Sequence, residues 1–107
     1  MRVITNNNLK STIALAALES VTDPEIGLNV VDLGLIYQID FGEACSKIYI
    51  SMTLTTQFCP MGESITGAVK RVIENTFTGM EVQLELTFNP PWNHEMISEE
   101  GQLFLNK

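Results

Sequence analysis

A chain of 107 residues, 45% of them hydrophobic, has the size of one domain and can bury a modest core without disulfides or a structural metal, so residues 1–107 are expected to form a single domain. The formal net charge is −7 and the six Lys and Arg residues are dispersed, which argues against nucleic-acid or anionic-membrane binding because both need a basic footprint. The stretch Met1–Asn8 has neither the apolar run nor the cleavage site of a secretory signal, and no apolar window is long enough to span a bilayer; a cytoplasmic location is expected, with Cys45 and Cys59 as free thiols.

Leu9 to Val21 contains good helix formers and no Gly or Pro, with Leu9, Ile13, Ala16, Ala17 and Val21 along one broad apolar face and Asn8 as the cap. Pro24 and Gly27 end this helix, and a structured loop runs on to Gly34. Three stretches then alternate with a period of two, the mark of strands wet on one side. The first sets Leu35, Tyr37, Ile39 and Phe41 against Gln38 and Asp40, with Ile36 breaking the pattern. The second carries Ile48, Ile50, Met52 and Leu54, and the third Val82, Leu84, Leu86 and Phe88.

Gly42 to Ser46 is short enough to join the first two strands as an antiparallel hairpin. Between the second and third, a helix starting at Cys59-Pro60 shows Ile65, Ala68, Val69, Val72, Ile73 and Phe77 on one face and stops near Gly79. The expected fold is α+β: a two-layer sandwich in the order α-β-β-α-β, with a three-stranded mixed sheet, both helices on one face and a short helical segment from Ser98 onward. The pattern leaves open whether the third strand pairs with the second or the first.

Cys59 stands where a strand exit meets a helix start, with Pro60 suited to the first helical position. Unpaired backbone N–H groups and the positive end of the helix dipole favour thiolate there, the form that binds soft metals and attacks electrophiles. Against this stands the ordinary role of a free cysteine as a small buried hydrophobe. Cys45, in the hairpin turn, has no such surroundings and reads as incidental.

Asp23, Glu25 and Asp32 put three carboxylates in one loop, able to ligate a metal or act as acid and base, although such residues are more often turn formers and caps. Hairpin geometry brings that loop to the same sheet edge as the exit toward Cys59. Trp92, after Pro90 and Pro91, is a rigid aromatic that covers a site, docks a partner or closes the core. His94 and Glu95 read as exposed neighbours of a short helix rather than as a metal pair.

The run Asp23-Pro24-Glu25-Ile26-Gly27-Leu28-Asn29-Val30-Val31-Asp32-Leu33-Gly34-Leu35-Ile36-Tyr37, then Thr53-Leu54-Thr55-Thr56 with Cys59-Pro60-Met61-Gly62, then Pro90-Pro91-Trp92 with Met96-Ile97-Ser98, resembles the SufT and PaaD-like family of metal-sulfur cluster biosynthesis proteins. The resemblance spans nearly the whole chain. It implies a role in maturing iron–sulfur proteins rather than an enzyme activity, with Cys59 matching the family's cysteine as a transient ligand of iron or an iron–sulfur cluster. Asp23, Glu25 and Asp32 match its acidic loop, Thr55 and Thr56 line the same pocket, and Pro91 and Trp92 form a lid or partner contact. The implied partners are the iron–sulfur assembly machinery and client apo-proteins. A cluster is ordinarily held by about four protein thiolates, so further ligands come from a second copy in a homodimer, a small thiol or the client. Two other readings remain at this point: an interaction module that binds no metal, and a thiol enzyme with Cys59 as nucleophile assisted by Asp23 or Glu25.

Overall fold

Alternation of apolar and polar residues places Ile39, Phe41, Ile48, Ile50, Met52 and Val82 on one side of a sheet. In the computed structural model, which describes residues 3–55 and 62–106, all six are buried in one cluster with Ala14 and Leu18 of the first helix and Ile65, Val69 and Ile73 of the second. Burying an aliphatic side chain of this size contributes about 1.5–3 kcal/mol relative to leaving it in water. The elements in chain order are β1 (Ile4–Thr5), α1 (Asn8–Leu18), β2 (Ile36–Gly42), β3 (Lys47–Met52), α2 (Gly62–Thr76), β4 (Glu81–Leu86) and α3 (Glu99–Leu105). Two 3-10 turns, Glu43–Cys45 and His94–Met96, complete them. Both long helices cover one face of the sheet; Gln38, Asp40, Tyr49, Ser51, Gln83 and Glu85 form a polar trough on the other. Among the described residues no helix is long and apolar enough to cross a membrane.

The α+β reading holds, but the sheet has four strands rather than the expected three, in the order β1-β2-β3-β4. The added strand is β1, parallel to β2 with Ile4 beside Gln38. Two residues carry no readable period, and much of what anchors them is a side chain. The Asn6 amide donates to the Phe41 carbonyl at 3.1 Å and accepts from the Phe41 N–H at 2.9 Å, imitating one more rung of backbone pairing. β2 and β3 form the expected antiparallel hairpin, and β4 lies parallel to β3, answering the question that the pattern left open.

Ile36, which broke the alternation of β2, is explained by a register shift between Ile36 and Gln38. Ile36 pairs with Met52 and Gln38 with Ser51, so Tyr37 is the extra residue of a bulge. Residues on either side of it therefore differ by three rather than two in reaching the core, and Ile36 is buried together with Ile39 and Phe41.

In α2 the expected face is the observed one: Ile65, Val69 and Ile73 are buried, and Ala68, Val72 and Phe77 pack against them. α1 differs. Asn7 rather than Asn8 is the cap, its side chain accepting from Lys10 N–H, and the helix ends at Leu18 rather than Val21. Its buried residues are Ser11, Ala14 and Leu18, while Leu9 is 75% and Ile13 46% exposed. Apolar residues stand on every side of this helix, so periodicity could not choose a face; packing against α2 and the sheet chose the one with small Ser11 and Ala14. The C-terminal helical segment is α3, with the Ser98 hydroxyl accepting from Gly101 N–H at 3.0 Å as its N-cap. A Cβ on Gly101 would lie 2.8 Å from Ile97 Cγ2 and 2.9 Å from Leu28 Cδ2, so a larger residue there would displace the side chains through which α3 meets the loop after α1.

Candidate functional site

The loop from α1 to β2 folds back on itself through backbone bonds. Val30 N–H donates to Val21 O at 2.9 Å, Asp23 N–H to Leu28 O at 3.0 Å and Gly27 N–H to Asp23 O at 2.7 Å. Asp23 is 1% exposed, and its Oδ1 accepts from Glu25 N–H at 2.9 Å, an Asx turn that shapes the Asp-Pro-Glu segment. Glu25 itself is exposed.

The second half of the loop is tied to the C-terminal segment. Asn29 Oδ1 accepts from the N–H groups of Val31 and Asp32, and Asn29 Nδ2 donates to Asp32 Oδ2 at 2.7 Å. The other carboxylate oxygen, Asp32 Oδ1, accepts from the Ser98 hydroxyl at 2.8 Å, while Ser98 N–H donates to Asp32 O at 2.7 Å. Asp32 thus holds the cap of α3 to the loop. Trp92 Nε1 donates to Leu33 O at 2.6 Å, and the indole packs half-buried on the core. Tyr37, from the bulge, donates its hydroxyl to Pro90 O at 2.7 Å; burial pushes its pKa above the usual value, partly offset by the Thr53 hydroxyl. Gly34, at φ +78°, lies so close to Met96 that a Cβ would collide with its carbonyl.

Beside this loop runs the exit of β3. Thr53 N–H donates to Leu35 O at 2.8 Å, Thr53 is fully buried and Thr55 half-buried. The loop also reaches α2, where Pro24 shares a groove with Ser64 and Ile65 of the first turns. One end of the sheet therefore gathers Asp23, Asp32, Thr53, Thr55, Trp92 and the start of α2.

Of the residues singled out from sequence, Asp23, Asp32, Thr55 and Trp92 belong to this end, whereas Glu25 and Pro91 are exposed. Cys59 and Thr56 lie outside the described residues. Among the described residues no three His, Cys, Asp or Glu side chains are grouped to hold a metal ion. His94 is exposed, its ring 5.2 Å from that of Trp92, and Cys45 is exposed in the hairpin turn. Sequence reasoning gave Asn29 and Gly101 no role, and it read Ser98 as the start of a helical segment but not as the tie to Asp32. A signal for Asn29 existed in Asn-x-x-Asp for the Asx turn, and Ser98 before Glu99 and Glu100 marks a helix cap with acidic residues in the first turn.

The fold and this end of the sheet define an α+β domain built around a tied acidic loop, and residues 12–84 match the family described as iron-sulfur cluster assembly protein. The chain belongs to that family. It is 44% identical over 88 residues to the Fe-S protein maturation auxiliary factor of Porphyromonas gingivalis, covering 82% of this chain and 83% of that protein. It is 33% identical over 87 residues to the Fe-S protein maturation auxiliary factor SufT of Staphylococcus aureus, covering 79% and 96%. Among solved structures, a domain of unknown function from Bacillus anthracis superposes with a TM-score of 0.83 at 32% identity, over 94% of this chain and 98% of that one. The resemblance drawn from the three motifs is borne out by these relatives.

Proposed function

We propose that this protein is an auxiliary factor in iron–sulfur protein maturation that holds iron or a cluster in transit to client apo-proteins, with Cys59 as the thiolate that ligates the cargo. Two of its relatives are named for that maturation role. The observation that carries the reading is the position of the Asp-Pro-Glu loop against the first turns of α2, because Cys59 precedes Gly62 by three residues in the chain. Asp23, Thr55 and Thr56 line the pocket in this reading, Glu25 offers an exposed carboxylate at its rim, and Pro91 and Trp92 cover it or meet the partner. Asp32 serves differently, for with both carboxylate oxygens engaged by Asn29 and Ser98 it ties the loop rather than ligating the cargo.

The chemistry is ligand exchange. A thiolate binds the cargo, and release follows when the client's own thiolates displace it; no bond of a substrate need be broken, so the protein is a carrier and not an enzyme. Because one thiolate is far short of a cluster's usual set, the remaining ligands come from outside the subunit.

Anaerobic reconstitution with ferrous iron and sulfide tests this. The wild type should develop charge-transfer absorption in the visible range, and Cys59→Ser should lose most of it while keeping its fold. A wild type that stays colourless would falsify direct cargo binding. Client proteins that still co-purify with Cys59→Ala, with full maturation in cells, would make the protein an adaptor instead.

A further inference from the structure

The two edges of the sheet are finished differently. At one edge β1 is two residues long, and the Asn6 amide closes the neighbouring stretch of β2 by bonding both backbone groups of Phe41. At the other edge β4 runs for six residues, Glu81–Leu86, in unbroken register with β3 and with no proline or bulge to blunt it. Its backbone phase is fixed at both ends: Glu81 N–H donates to Ser46 O and Thr87 N–H to Met52 O, both at 2.8 Å. Glu81, Gln83, Glu85 and Thr87 therefore turn their backbone groups toward β3, and Val82, Leu84 and Leu86 turn theirs outward. Among the described residues no segment pairs with those outward groups. The helical layer also thins along this edge, from buried Val82 through half-buried Leu84 to Leu86, which is 42% exposed.

We infer that this edge pairs with the β4 edge of a second copy, antiparallel about a two-fold axis through Leu84, to make one continuous sheet across a dimer. The register follows from the residues of β4. Centred on Leu84, the outward groups of Leu84 meet their own symmetry mates and those of Val82 meet those of Leu86, so every outward N–H finds a carbonyl. On the helix side Leu84 then lies against Leu84 and Val82 against Leu86, covering apolar surface that one copy leaves in water. On the open side Gln83 faces Glu85, a neutral amide opposite a carboxylate. The smallest slip that keeps the two sides matched is two residues. In one direction it sets Glu81 opposite Glu85, in the other Glu85 opposite itself, and like charges directly opposite destabilise a sheet. A foreign strand would have to bring its own complementary pattern, whereas a second copy supplies one in the register that uses the whole edge, as a two-fold interface requires.

Sedimentation equilibrium of the full chain should show a reversible monomer–dimer exchange between about 10 µM and 1 mM, the range of a small interface. Over that range amide hydrogen exchange should slow with concentration at Val82, Leu84 and Leu86 and change far less at Gln83 and Glu85, whose N–H groups are already bonded to β3. Gln83→Lys places an ammonium opposite Glu85 twice in the dimer and should tighten it about threefold or more. Leu103→Lys, the same change of charge on α3, should tighten it less. Leu86→Pro removes an outward N–H that the monomer does not use and should weaken the dimer about tenfold or more, with the circular dichroism of the fold retained. A chain still monomeric at about 1 mM overturns the inference. So does a dimer in which Val82, Leu84 and Leu86 gain no protection, or one that Leu103→Lys tightens as much as Gln83→Lys. A monomer whose β4 amides are protected only by an added peptide of alternating valine and lysine overturns self-pairing as well, and gives the edge to a foreign strand. The exchange measurement uses the wild type, so it decides the matter even where Leu86→Pro fails to fold.

Discussion

The two ends of the β2–β3 hairpin are built differently. At one end Gly42–Ser46 closes the chain on itself: Ser46 N–H donates to Glu43 O at 3.3 Å, the Cys45 thiol donates to Gly42 O at 3.4 Å, and the turn is exposed. Beyond the hairpin it is met by Glu81 N–H, which donates to Ser46 O at 2.8 Å, and by the Lys10–Glu43 pair, a surface contact of small worth. At the other end Leu35 and Thr53 are joined, and the flanking loop is held by bonds from Trp92 to Leu33, 59 residues away, and from Ser98 to Asp32, 66 residues away. A cysteine belongs to each end in sequence, Cys45 within the turn and Cys59 beyond the exit of β3. Both ends take contacts from distant segments, but the second is tied by half-buried side chains of the C-terminal segment and the first by a backbone bond and a surface ion pair. Closing loops of that length costs entropy, which the buried contacts at the second end offset.

The largest expected effect comes from breaking the tied end at its tightest point. Gly34→Ala forces a side chain into the left-handed region and against the Met96 carbonyl, and should destabilise by about 3 kcal/mol or more in urea unfolding; a loss below about 1 kcal/mol would show that the loop yields easily there. Asp32→Ala removes the acceptor of both Ser98 and Asn29 and should cost about 1.5–3 kcal/mol, with faster amide exchange across Glu99–Leu105. Unchanged exchange in α3 would mean that Gly101 and Ile97 hold the helix without the tie. The smallest effect belongs to the turn: Cys45→Ala should leave stability within about 0.5 kcal/mol and cargo absorption unchanged. The Cys45 sulfur is 3.9 Å from the Tyr49 hydroxyl, and this contact, ahead of other causes, raises the Tyr49 pKa. In Cys45→Ala the phenol should titrate at lower pH, closer to its ordinary value, in an ultraviolet pH titration; an unmoved midpoint would show that the thiol does not act on it.

Much of the fold was legible because it rests on period and punctuation. α2 was readable from one apolar stripe, β3 from clean alternation, and the hairpin from its short turn. The misreadings have specific physical causes: α1 is apolar on every side, β1 is a two-residue strand completed by the Asn6 amide, and the bulge at Tyr37 brings Ile36 into the core beside Ile39 and Phe41. For the candidate site, residue types and order were visible in the Asp-Pro-Glu, Thr-Thr and Pro-Pro-Trp motifs, but their individual roles were not. Three carboxylates in one loop look alike in sequence, yet Asp23 is buried in an Asx turn, Glu25 is exposed and Asp32 is engaged with Ser98.

Element types, family membership and the candidate thiol could be read from the order of residues alone, since helix stripes, strand alternation and motifs are written within short windows. The buried face of α1, the fourth strand, the neighbour of β4 and the division of labour among the acidic residues were settled only in three dimensions. Each of these depends on which distant segments arrive alongside, and no local pattern carries that information.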